Sequence, residues 1–153
     1  MTREGRGLIE HLVADELASA RTVYVGSKAV AFVPVCARYP YEVWVTTRTR
    51  VGSVAELDDE TRRDVARALK TVLMKFDALW DRPFPYVMAV HQAPTDGAPH
   101  PEAHLHFEFY PALRMRDRLK YLAGSEIGAG VFTADLEPDA MASELRRVEV
   151  NID

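Results

Sequence analysis

With one cysteine, Cys36, in 153 residues, the chain can form no internal disulfide and no cysteine-based zinc cluster. Any metal must be held by histidine and carboxylate. No apolar run approaches the roughly 20 residues that span a bilayer, so no membrane partner is expected. The opening Met-Thr-Arg-Glu-Gly-Arg lacks the apolar core of a signal peptide, which makes a cytoplasmic location the expectation. Positive charge is scarce as well. Nineteen Lys and Arg stand against 23 Asp and Glu, a net charge of −4, and such a chain offers no basic stripe for long nucleic acid. A single nucleotide remains compatible with it. The apolar share of 48% and charged share of 27% are those of an ordinary globular chain, and the length suits one domain over residues 1–153.

Periodicity outlines the elements. Leu8, Ile9, Leu12, Val13 and Leu17 recur at helical spacing, which predicts a helix from Gly7 to about Ala20. Thr22–Val25 and Ala29–Val33 flank Gly26-Ser-Lys and predict a hairpin, and Tyr41–Val45 predicts a third strand after Pro40. Asp58 and Asp59 precede a stripe of Val65, Leu69, Val72, Phe76 and Leu79, the pattern of a long helix with acid at its positive end. Pro83 and Pro85 close it, and Tyr86–Val90 leads as a strand into His91. A loop over 92–103, with three prolines and a Gly, joins this strand to one over 104–110. Four cations crowd Arg114–Lys120, which reads as a solvated turn. Gly124, Gly128 and Gly130 bracket Ser125-Glu126 in a glycine-rich loop. A short Val131-Phe132 strand and a helix over Pro138–Val148 complete the chain. The expected architecture is an α+β fold, an antiparallel sheet of about five or six strands with helices packed on it.

The chemistry concentrates in His104-Leu-His106-Phe-Glu108-Phe-Tyr110. A strand has a side-chain period of two, so His104, His106 and Glu108 share one face while Leu105, Phe107 and Phe109 share the other. Three readings fit. Zinc or ferrous iron accepts imidazole and carboxylate, and His106 and Glu108 could reach one ion if His91 joins from an adjacent strand. Alternatively, these are half-buried histidines hydrogen-bonded at a sheet edge. The third reading takes His104-x-His106 as the start of a histidine triad with His106 as nucleophile. In that case Glu108 stands where a third histidine belongs and repels the phosphoryl group. Elsewhere, Glu126 could accept sugar hydroxyls or be a turn carboxylate, and Lys120 could hold a phosphate or be merely solvated. Cys36 reads as a small buried hydrophobe, and His11 and His100 as surface residues.

Val33-Pro34, Arg38-Tyr-Pro-Tyr-Glu42, Leu57-Asp-Asp, Phe84-Pro-Tyr86, His91-Gln-Ala-Pro94, His104-Leu-His106-Phe-Glu-Phe-Tyr-Pro111 and Lys120-Tyr-Leu-Ala-Gly-Ser-Glu126 follow one another in order. Together they resemble the C-terminal half of the galactose-1-phosphate uridylyltransferase family, from about Leu8 to Val148. The resemblance implies a histidine-triad-like fold. It also implies a reaction that passes uridylyl from UDP-glucose to galactose 1-phosphate through a uridylyl-histidine. The nucleophile lies in a His-Pro-His stretch of the N-terminal half, and no such stretch occurs here, so no catalytic nucleophile is expected on this chain. His91, His106 and Glu108 fall at positions of a zinc or iron site shared with the N-terminal half, with Glu108 where some members have histidine. Lys120, Tyr121, Ala123, Ser125 and Glu126 match a segment that contacts the sugar phosphate, and Ser125 replaces a bulkier aromatic. That segment reaches a neighbouring subunit in the family.

These matches make the chain the expected C-terminal subunit or half of a split transferase, inactive without an N-terminal partner and part of a homo- or hetero-oligomer. Gly5-Arg-Gly7 reads as a natural start. Its expected ligands are UDP-hexose and hexose 1-phosphate. The alternatives are a related nucleotidylyltransferase or phosphorylase with other substrates, and a non-catalytic nucleotide-sugar-binding module.

Overall fold

The computed structural model describes residues 7–134 and 136–152; the expected start at Gly5 lies outside them. Helix α1 (Leu8–Leu17) is followed by strands β1 (Thr22–Val25), β2 (Ala29–Phe32) and β3 (Val43–Thr47). A 3-10 turn at Val54–Glu56 leads into the long helix α2 (Asp59–Leu79), and then come β4 (Tyr86–His91) and β5 (His106–Pro111). The chain closes with the short pair β6 (Leu113–Met115) and β7 (Arg118–Leu119), then α3 (Gly124–Ala129) and α4 (Pro138–Arg147). The five long strands form one antiparallel sheet in the order β1-β2-β3-β5-β4, and β6-β7 form a separate two-stranded ribbon. The α+β architecture matches the expectation. No helix among the described residues is long and apolar enough to cross a membrane.

Helix α2 forms where its pattern requires it. The Asp58 carboxylate accepts the Thr61 N–H at 2.7 Å as N-cap, and Asp59 and Glu60 sit at the positive end of the helix dipole. Val65, Ala68, Val72 and Phe76, three or four residues apart, form its buried stripe. They pack with Ala29, Ala31, Val43, Val45, Phe107 and Phe109 from one face of the sheet, and Met141, Ala142 and Leu145 of α4 join them. Lys75 ties the two helices together: its buried ammonium donates to the carbonyls of Leu145 at 2.9 Å and Val148 at 2.5 Å, at the negative end of α4. The other face is covered over part of its width. Ile9 and Val13 of α1 pack on Val30 and Phe32, with Trp44 at the margin. All four residues of β2 are therefore buried, while β4 at the sheet edge is exposed along most of its length.

Several expectations need correction. Strand β5 begins at His106, so His104 precedes it instead of sharing its polar face. The third strand is Val43–Thr47, because Tyr41 adopts φ 59°, a left-handed turn before the strand. Val131 and Phe132 form no strand. The glycine-rich loop contains the helix α3, in which the Glu126 carboxylate accepts the Ala123 N–H at 2.5 Å as one half of a capping box. The cationic run is the β6-β7 ribbon, and Cys36 is exposed.

Candidate functional site

Pairing of β4 with β5 sets His91 directly opposite His106 and Ala89 opposite Glu108. His91, His106 and Glu108 consequently lie on the face that α1 leaves uncovered. One ligand atom from each falls within 4.8 Å of the others. The two imidazoles stack, with centroids 4.7 Å apart and planes 12° from parallel, and Trp44 flanks His106 at 5.6 Å. His106 Nδ1 lies 2.7 Å from the His104 carbonyl oxygen, which can only accept, so Nδ1 carries the hydrogen. The other ring nitrogen, Nε2, lies 3.3 Å from Glu108 Oε1. His91 Nε2 is 3.7 Å from Glu108 Oε2. Two imidazole nitrogens converging on a carboxylate make a donor set that a divalent cation satisfies. The residues therefore fit a zinc or iron ion.

His104 has a different task. It is 3% exposed; its Nε2 lies 3.0 Å from the Thr47 carbonyl and 2.9 Å from Thr47 Oγ1, and Nδ1 has no partner among the described residues. Burial lowers its pKa, which keeps the ring neutral. Its contribution to the site is the carbonyl that orients His106.

Sequence reasoning missed the residues around Glu108. The Arg38 Nη2 donates to Glu108 Oε2 at 3.0 Å and to the Tyr110 hydroxyl at 2.8 Å, and it lies 3.4 Å from Glu42 Oε1. Glu42, fully buried, also accepts the N–H groups of Arg38 and Tyr39 at 2.7 and 3.1 Å and the Trp44 indole N–H at 2.9 Å. The one signal in the sequence was Arg38-Tyr-Pro-Tyr-Glu42, a charged pair bracketing a proline turn.

The other expected residues lie on an arm beyond β5. The Lys120 ammonium and Glu126 Oε1 pair at 3.0 Å with almost no exposure of either side chain, and Oε1 also accepts the Thr133 N–H at 3.1 Å. The N–H donors of Ala123 and Thr133, then Lys120, pull the Glu126 pKa down to about 2. Tyr121, Ala123 and Ser125 are exposed, Tyr121 to 83%. A cavity of about 520 Å³ separates the arm from the sheet, lined by Arg38, Tyr39, Tyr110, Lys120, Leu122 and Phe132 among others. Thus Lys120 borders the same space as Arg38, while Ser125 and Tyr121 are exposed and are not among its lining residues.

Residues 1–151 match the model of the galactose-1-phosphate uridyl transferase C-terminal domain. The chain belongs to the galactose-1-phosphate uridylyltransferase family. It is 39% identical over 134 residues to the galactose-1-phosphate uridylyltransferase of Thermotoga maritima, covering 86% of this chain and 42% of that one. A solved uridylyltransferase superimposes with a TM-score of 0.87 at 36% identity, covering 95% of this chain and 46% of the other. The chain thus spans less than half the length of the relatives it matches, and what it matches is the family's C-terminal domain. A Hit-like protein from Bartonella henselae shares the fold at 17% identity, with a TM-score of 0.64 and coverage of 97% and 100%, which makes the sheet of this family domain histidine-triad-like.

Proposed function

We propose that this chain is the C-terminal half or subunit of a galactose-1-phosphate uridylyltransferase that works in the cytoplasm. In the reaction, UDP-glucose gives its uridylyl group to a histidine of the His-Pro-His half and releases glucose 1-phosphate. Galactose 1-phosphate then takes the group to become UDP-galactose. The observation that carries this division of labour is the orientation of His106 Nε2, 3.3 Å from the Glu108 carboxylate. A nucleophile so placed would bring an anionic phosphate against an anion, so His106 serves better as a ligand than as the attacking base.

In this reading His91, His106 and Glu108 hold a zinc or iron ion, completed by a ligand of the other half. The ion would supply a fixed positive charge at the junction of the two halves. Lys120, Tyr121, Ala123, Ser125 and Glu126 present the arm to hexose 1-phosphate. A sugar hydroxyl could reach Glu126 by displacing Thr133 Oγ1, whose 3.4 Å contact is the longest that the carboxylate makes. Two features support a partner. Strand β4 pairs on one side only and exposes Tyr86, Val87, Met88 and Val90 by more than 40% each. The arm exposes Tyr121 and Ile127 still further.

Co-expression with a His-Pro-His half from the family, followed by an assay for UDP-galactose, tests the proposal. A complex with activity is expected, and failure to form either a complex or product refutes it. A second reading, transfer to another hexose phosphate or a phosphorylase reaction, is favoured by Ser125 alone, a small exposed residue that leaves room at the arm's tip. A panel of sugar phosphates separates the two.

A further inference from the structure

The loop between β2 and β3 is built with unusual care for a surface connection. Tyr41, a bulky residue, is held at φ 59° and buried, with its ring edge-on to Trp80 and Phe84 and its hydroxyl donating to Glu144 at 2.6 Å. In the left-handed conformation the Cβ of such a residue crowds the following carbonyl oxygen, so the turn is held against a steric cost. The turn brings the Glu42 carboxylate back beneath the loop, where it takes three N–H donors. All of this ends in one guanidinium, whose Nη2 is shared among Glu42, Glu108 and Tyr110. The Arg38 carbon lies 4.9 Å above the centre of the Tyr110 ring, so packing as well as hydrogen bonding fixes it.

The geometry points to Arg38 as a positioning residue for the metal site: it grips Glu108 by Oε2, the oxygen nearer His91, so that Oε1 stays turned toward His106 Nε2. This rests on the reading of His91, His106 and Glu108 as ligands. The alternative is that Arg38 is only a neighbouring charge, and the two make opposite predictions. A bare positive charge beside a cation site weakens binding, so its removal would tighten the site. A clamp that orients a ligand strengthens binding, so its removal would loosen the site.

Zinc titration of the purified chain, with circular dichroism to verify folding, decides between them. The wild type should bind one zinc per chain, and His91→Ala should abolish binding. Arg38→Met should bind about 10–100-fold more weakly, the usual loss when a ligand's supporting partner is removed. Arg38→Lys, which keeps the charge and loses the fork, should also weaken binding, and Tyr110→Phe less so. Should Arg38→Met fail to fold, Arg38→Lys carries the test. Tighter or unchanged zinc binding in a folded Arg38 variant overturns the positioning role and leaves the metal reading intact. No zinc held by His91, His106 and Glu108 in the folded wild type, either alone or in complex with the His-Pro-His half, overturns both.

Discussion

The two faces of the sheet are stabilised in different ways. Toward α2 and α4, Phe107 and Phe109 meet a packed apolar layer, and this face holds the fold together by excluding water. At the alternate positions of the same strand, His106 and Glu108 lie on a face that α1 covers over β2 and not over β5. Here position depends on directed bonds: His104 carbonyl to His106, Arg38 to Glu108, Glu42 to Arg38. Packing tolerates small adjustments in direction, whereas directed hydrogen bonds do not. The chain therefore places its chemistry where hydrogen bonds aim each group, and its stability where volume matters.

Substitutions on the two faces should separate these roles. Phe109→Ala, at a fully buried position, should cost about 3–5 kcal/mol in urea unfolding, through lost burial and the cavity left behind. At the boundary, His104 makes stability depend on pH. Its folded pKa lies below the ordinary 6.5, so its contribution is complete above pH 6.5 and is lost as pH falls from there toward the folded value. Thermal melts should show a decline below pH 6.5 that His104→Gln flattens. In the arm, Glu126 is held down at about 2 against an ordinary 4.5, so its stabilising contacts persist above pH 4.5 and are released as pH falls toward 2. Amide exchange at Ala123 and Thr133 should accelerate over that window while the core amides stay protected. The smallest effect belongs to His91→Ala. Its side chain is half-exposed, stacks on His106 and belongs to neither apolar cluster, so stability should change by no more than about 0.5 kcal/mol, in contrast to Phe109→Ala.

The contrast between the faces also explains what the sequence made legible. The alternation in β5 displays both faces at once, and the stripe of α2 follows from its helical period, so the core and the convergence of His91, His106 and Glu108 could be anticipated. Family membership was legible for the same reason, since ordered motifs survive when single residues vary. Arg38 was not legible. It meets Glu108 across 70 residues of sequence, through a turn whose shape depends on Tyr41 and a buried Glu42. The short helix α3 was hidden by its glycines, although Glu126 three residues after Ala123 was a capping signal. The pattern of Val131-Phe132 suggested a strand, yet among the described residues it pairs with none, and Phe132 packs at a tilt on Tyr39, with centroids 5.9 Å apart. Cys36 lies in the loop that serves Arg38, outside both apolar layers, and so is exposed.

The central claim is that the covalent step belongs to the family's His-Pro-His half while this domain supports it. Mass spectrometry of the reconstituted pair after incubation with UDP-glucose tests that claim most directly. The account predicts a uridylyl adduct on the His-Pro-His partner and none on this chain; an adduct on His106, formed by this chain alone, would contradict it.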